Sequence, residues 1–339
     1  MALLLLFYKV VGEVNLKTAI HINNFNSNYK VFWPKLDLKP IVGKPEIMPR
    51  PEGYRLKEYK SVVVKTISDS FTCEGFSDAL EAIAEDKAIS ESLERFVMQA
   101  YALQTQTPDT SNGWACHFSI EGAIQNALSE LVERDVAITS WENGKPFYLI
   151  PESAWPISII NWYSCYRGRL EYSELKIGLS QSENGCSVST FLFNEARNCV
   201  AAHSSKTNLR EAIMSSFMEC LRAAHSAVRL ENFSDVIALH KGYLGSDCDP
   251  GAHSLAYAYT FEFPKNIAFI ENTVQQIDEK WKLHQLKFLK FDLSKFEVLA
   301  FNILDRVAVR LRHSSLKQIY WGTPKNWNEL TNKHPHTVG

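Results

Sequence analysis

One pattern, S-E-x-x-E-R-x-V, occurs twice in this chain: as Ser90-Glu91-Ser92-Leu93-Glu94-Arg95-Phe96-Val97 and again as Ser129-Glu130-Leu131-Val132-Glu133-Arg134-Asp135-Val136. Residues three apart share a helix face, so each copy sets two carboxylates side by side with a guanidinium one residue on. The flanking apolar residues draw these charges toward a partly buried setting, where they need partners. If the two helices face each other, Glu91, Glu94, Glu130 and Glu133 gather at one place. Clustered carboxylates raise one another's pKa unless a cation lies among them, and hard divalent ions take oxygen ligands of this kind. Magnesium commonly binds one or two carboxylates plus substrate phosphates, and Arg95 and Arg134 are suited to fork onto phosphate oxygens. The competing reading is two solvated E-R pairs on helix surfaces, worth about 0.3–0.5 kcal/mol each.

The rest of the chain predicts a layered α/β (α+β) fold. Apolar residues recur at helical spacing from Ser77 to Tyr101, behind a capping signature of Ser77 and Asp78 with Glu81. They recur again from Ser119 to Thr139 and from Asn208 to Val228. Strand-like runs fall at Phe147–Ile150, Leu175–Leu179, Val188–Phe193, Ala256–Phe263, Lys287–Asp292 and Phe296–Ile303. Prolines at 34, 40, 45, 49 and 51 predict an extended lead-in. Residues 1–60 are expected to form an N-terminal strand and that lead-in, and residues 61–339 one continuous domain.

Composition removes several functions. A formal charge of -2 from 36 basic and 38 acidic residues gives no global field, which argues against nucleic acid or an anionic membrane as main partner. The apolar opening Ala2–Tyr8 is far shorter than the roughly 20 residues of a spanning helix. The cysteines are odd in number and scattered, with no C-x-x-C, which fits a reducing cytoplasm and neither a zinc ribbon nor a disulfide framework. No G-x-x-x-x-G-K-[ST] is present, so a nucleotide site here is not a P-loop. His117, His203 and His225 read as packing or surface residues, Trp162, Tyr163 and Tyr166 as core, and Lys282, Lys287, Lys290 and Lys295 as a solvated face.

The segment from Ser111 to Asp135, S-N-G-W-A-C-H-F-S-I-E-G-A-I-Q-N-A-L-S-E-L-V-E-R-D, resembles the YcaO family's S-x-G-x-A, E-A and A-L-x-E-L-x-E-R-D. Glu91-Ser-Leu-Glu-Arg95 is similar to that family's first E-x-x-E-R, Arg210 to Glu219 to its third helix, and Lys333-His-Pro-His336 to its C-terminus. The resemblance implies a YcaO-like layered fold in which helices bearing the paired motifs pack on mixed β-sheet. It also implies ATP and Mg2+ as cofactors: Glu91, Glu94, Glu130 and Glu133 would hold magnesium, while Lys87, Arg95, Arg134 and Glu219 would complete the nucleotide site. The implied activity is a peptide cyclodehydratase, in which a cysteine, serine or threonine side chain attacks a backbone amide of a ribosomally made precursor peptide and ATP activates the amide oxygen, giving a thiazoline or oxazoline. Two alternatives share the motif: a non-catalytic scaffold subunit and a thioamide-forming enzyme.

The sequence departs from the family pattern at Lys87, Ala115, Gly122 and Asn126, and at Ser215, which stands where the third helix carries an arginine. Restoring Gly122→Glu with Ser215→Arg is therefore expected to strengthen ATP use. The core lacks an evident leader-binding module, so a separate leader-binding, E1-like partner protein is expected to deliver the precursor peptide. A flavin dehydrogenase and a homodimeric state are further expectations.

Overall fold

The two motif copies form successive turns of two long helices, α1 (Glu81–Thr105) and α2 (Ile120–Glu142). The start of α2 falls where the apolar spacing puts it. Ser119 is extended, and its hydroxyl accepts from the Gly122 amide at 3.1 Å, satisfying one of the N–H groups a first turn leaves open. The start of α1 corrects an expectation. Ser77 and Asp78 lie inside a strand, Leu80 precedes the helix, and no side chain caps it. The carboxylate of Asp78 is occupied by Arg50 and Ser61 across the strands, so it has no role at the helix start.

This computed structural model describes residues 30–36, 38–106, 111–230, 258, 263–289 and 291–318. The Ala2–Tyr8 run, most of the Ala256–Phe263 run and the Lys333–His336 tail lie outside them. Among the described residues three sheets are formed. In the first, β1 (Val31–Phe32) runs parallel to β12 (Glu297–Ile303), followed by β13 (Arg306–Arg312) and the edge strand β6 (Trp114–His117). The second has the order β10 (Cys199–Ser204), β9 (Gly185–Phe193), β8 (Glu174–Ser182), β7 (Phe147–Leu149), β11 (Phe269–Ile270). In the third, β4 (Tyr59–Ile67) pairs with β5 (Thr72–Leu80) on one side and with β2 (Ile41–Val42) and β3 (Glu46–Ile47) on the other.

Helices alternate with these sheets. Leu93, Phe96 and Val97 of α1 pack with Trp114, Phe301 and Ala308 on one face of the first sheet. Ala123, Ala127, Leu131 and Val132 of α2 pack with Ala115, Val298, Val309 and Leu311 on its other face. The second sheet is likewise covered twice: Val188 and Leu192 of β9 meet Ile213, Phe217 and Leu221 of α4 (Leu209–Leu230), while Phe191 and Phe193 share a cluster with Trp141 of α2. Every residue of β9 is accordingly buried. Mixed sheets with interleaved helices are the layered α/β architecture read from the sequence.

Gly75 fixes how closely α1 lies on the third sheet. A Cβ there would stand 2.2 Å from both the Ala88 carbonyl oxygen and the Ser92 nitrogen, so only glycine lets helix and strand backbones touch. Two other expectations need correction. Lys287–Asp292 is not a strand, because Ile277, Trp281, His284 and Phe288 recur at helical spacing and bury one face of α5 (Val274–Leu289). Nor is Lys287 simply solvated, since its ammonium donates to the Ser182 carbonyl at 3.3 Å. Trp162 and Tyr163, on α3 (Ile157–Tyr166), are core residues, and the Trp162 indole donates to the Gly53 carbonyl. No helix among the described residues is long and apolar enough to cross a membrane.

Candidate functional site

The closeness of α1 to β5 positions the first motif. Glu91 accepts from the Phe76 amide at 3.0 Å through one carboxylate oxygen and from Arg95 at 2.6 Å through the other. Arg95 in turn donates to the Glu74 carbonyl at 3.0 Å and lies over the Phe76 ring. Glu91 and Arg95 are thus both tied to β5. Glu94 follows one turn later on the same face.

In the second motif the arginine is more firmly held. Arg134 pairs with Glu130 at 2.6 Å and donates to Asn112 at 2.6 Å and Ser111 at 3.1 Å, locking α2 to the segment that leads into β6. Its side chain is 11% exposed, against 42% for Arg95, so its guanidinium has little reach left for a ligand. Glu133 accepts from the Ser205 amide at 3.2 Å, which joins α2 to the connection between β10 and α4.

β6 is the edge of the first sheet. The carboxylates of α1 and α2 act on one another and on Glu219 of α4. Burial raises the pKa of Glu94 well above the carboxylate range, with repulsion from Glu130 and Glu91 adding to it. Burial pushes Glu130 up to about 7 although Arg134 and Lys206 oppose the shift. Glu133 is pushed up to about 8 by burial and by the neighbouring Glu219. Glu219 is raised by burial, against the opposing pull of Arg222 and Lys206. On α1, burial and the nearby Lys206 lower the pKa of Lys87, while Glu219 and Glu211 support its charge. All eight residues singled out in the sequence therefore belong to one electrostatically coupled region.

Lys206, Arg222 and Arg50 escaped the sequence reading, and Asp78 entered it only as a helix-cap residue. Arg222 lies one turn beyond Glu219, 3.7 Å from Asp78, which also holds Arg50 at 3.0 Å. The helical spacing Ser215, Glu219, Arg222 was available as a signal, since all three share a face. Lys206 precedes α4 in no motif and carried no signal. Of the departing positions, Ala115 is buried in β6 and Asn126 is exposed on α2. Gly122 lies directly under the ring of His117.

The donor set suits a magnesium-bound polyphosphate better than a bare metal ion. Among the described residues no group of three or more acidic, histidine or cysteine side chains is gathered tightly enough to hold a metal. A magnesium ion would take one or two of these carboxylates and complete its shell from phosphate oxygens. The half-buried carboxylates, with two ammonium groups beside them, fit that division of ligands.

A family model described as YcaO cyclodehydratase, ATP- and Mg2+-binding, matches residues 94–269. Among solved structures, the YcaO of Methanopyrus kandleri bound with AMPPCP and Mg2+ is similar at a TM-score of 0.52 and 14% identity, over 84% of this chain and 90% of that one. The E. coli microcin synthetase McbBCD complex with pro-MccB17 bound contains a chain similar at a TM-score of 0.53 and 12% identity, over 80% and 88%. A heterocyclase in complex with substrate and cofactor gives a TM-score of 0.53 at 12% identity, over 80% of this chain and 50% of that one. No curated relative matches the chain by sequence.

Proposed function

The chain belongs to the YcaO family, and on that premise we propose that it is an ATP- and magnesium-dependent cyclodehydratase acting on a ribosomally made precursor peptide. The observation that carries this reading is the mutual electrostatic influence of Glu91, Glu94, Glu130, Glu133 and Glu219, on three helices, with Lys87 and Lys206 acting on the same set. In the bound state ATP would supply the phosphoryl group that converts the amide oxygen of the substrate into a leaving group.

The residues of the chain account for binding and orientation. One or two of Glu91, Glu94, Glu130 and Glu133 would hold magnesium, with its shell completed by phosphate oxygens, and Glu219 would close the wall. Arg95 and Arg134 keep their carboxylates in place through contacts to β5 and to Ser111 and Asn112. Such prearranged charge is the main resource for phosphoryl transfer, which asks for positioning and charge stabilisation more than for covalent help. The precursor would arrive on a separate leader-binding partner. Similar structures supply the kind of assembly: one is a synthetase complex with a pro-peptide bound and another a heterocyclase with substrate.

One observation favours the second reading, a non-catalytic subunit. The space above Gly122, where the family carries a glutamate, is filled by His117, so this chain has one carboxylate fewer at the cleft. The two readings separate in a reconstitution with precursor peptide, partner protein, ATP and magnesium, followed by mass spectrometry. Loss of one water per ring that depends on this chain supports the enzyme. Conversion that persists when Glu133→Gln replaces the wild-type chain would assign it a scaffolding role.

A further inference from the structure

Arg134 spends its donors on Asn112, Ser111 and Glu130, and Arg95 is already committed through two of its N–H groups to Glu74 and Glu91. A polyphosphate entering a cleft with five glutamates needs positive charge from elsewhere. Two ammonium groups are present, Lys87 on α1 and Lys206 on the β10–α4 connection. Among the described residues neither has a carboxylate within ion-pair distance, although Lys206 acts on Glu130, Glu133 and Glu219 and the two lysines repel each other.

The backbone around Lys206 is held far more tightly than a solvated lysine requires. On one side the Ser205 amide donates to Glu133 at 3.2 Å and its hydroxyl to the Cys186 carbonyl at 3.2 Å. From behind, α5 contributes three side chains: Gln285 donates to the Thr207 carbonyl at 2.5 Å, Trp281 to the same carbonyl at 3.3 Å, and His284 faces the Lys206 carbonyl at 3.4 Å. Nδ1 of His284 accepts from the Cys186 amide at 3.1 Å, so the proton sits on Nε2 and points at that carbonyl. Asn208 then caps α4 by accepting from the Arg210 and Glu211 amides. Fixing a flexible side chain's base in this way lowers the entropy lost when its head group binds.

We propose that Lys206 is a phosphate-binding residue of this carboxylate site, with Lys87 as the second cation, and that α5 holds the β10–α4 connection so that Lys206 faces the carboxylates. This deepens the proposed ATP site by naming the group that receives the phosphate charge.

The test titrates wild type, Lys206→Met and Lys206→Arg by calorimetry, with magnesium present, using the ATP analogue AMPPCP, inorganic triphosphate and AMP. Losing one charge-assisted phosphate contact should weaken analogue and triphosphate binding by about tenfold or more. AMP should change little, and Lys206→Arg should keep most of the affinity. Gln285→Ala, which frees Thr207 without touching the ligand, should weaken the analogue by a smaller factor, and unaltered binding would remove α5 from the proposal. Equal analogue binding by wild type and Lys206→Met would overturn the role of Lys206 while leaving the ATP site intact. Wild type that binds triphosphate through Lys206 but not the analogue would keep the phosphate contact and remove the nucleotide reading. Wild type that binds neither would overturn both.

Discussion

A Cβ built on Gly122 would stand 2.2 Å from Nδ1 of His117, a ring that also accepts from the Ser119 amide at the start of α2. Restoring a glutamate at this position is therefore not a simple gain of charge, as the sequence alone suggested. Gly122→Glu by itself should displace the imidazole and destabilise the fold by about 1–3 kcal/mol, as overpacking commonly does. The same change with His117→Ala should recover stability and strengthen magnesium-nucleotide binding. Thermal unfolding and titration of the single and double variants decide this. A single variant as stable as wild type would show that His117 moves freely.

At Gly75 the obstruction is backbone rather than a ring. Gly75→Ala should lower stability by about 3 kcal/mol or more, because neither the Ala88 carbonyl nor the Ser92 amide can move without shifting α1. Nucleotide affinity should fall with it, since Glu91 depends on the same contact through the Phe76 amide. Chemical denaturation measures the first effect and titration below the unfolding transition the second.

The motif helices, and which glutamates share a face within each, were legible because a 3.6-residue apolar repeat sets which charges lie together, as Leu93 and Val97 do around Glu94. The third sheet was not. Tyr59–Ile67 and Thr72–Leu80 pair over their full length, yet Ser77, Asp78 and Glu81 imitate a helix start whose cap is diverted by Arg50 and Ser61. Helix α5 was misread at its end because Lys287–Asp292, K-F-L-K-F-D, is an apolar and aromatic run too short to distinguish strand from helix. Lys206 was beyond reach of the sequence, because its place depends on Trp281, His284 and Gln285, distant in the chain and joined to it only through backbone carbonyls.

Arg134 gives a prediction about stability rather than chemistry. Arg134→Lys should cost about 2–4 kcal/mol, close to the cost of Arg134→Ala, because a single ammonium cannot replace a fork that holds Glu130, Asn112 and Ser111 together. Denaturant midpoints of the two variants test it, and a lysine variant near wild type would contradict the structural role.

The raised carboxylates set a pH dependence of defined sign. Glu94, Glu130, Glu133 and Glu219 keep protons in the fold that the unfolded chain releases at about 4.3, so the native state binds more protons from there up to about 8 and stability falls as pH rises. Lys87, Lys206, Arg134 and Arg222 face the same groups and moderate the slope. Buried His284, lowered to about 4, gives the opposite slope, but only below about 6.5. Urea unfolding from about pH 6.5 to 8.5 should therefore show decreasing stability, with a shallower fall in Glu133→Gln. A slope identical in the two proteins would remove Glu133 from the coupled set.

Binding of magnesium and AMPPCP to the wild-type chain and to Glu133→Gln, measured by isothermal titration calorimetry, bears most directly on the shared carboxylate site. Wild type should bind the two together and bind magnesium alone only weakly, because no three carboxylates among the described residues are gathered for a bare ion. Glu133→Gln, which removes a charge and nearly preserves shape, should weaken magnesium-dependent binding by about tenfold or more. Equal affinity in the two proteins, with or without magnesium, would contradict a nucleotide site built on these glutamates.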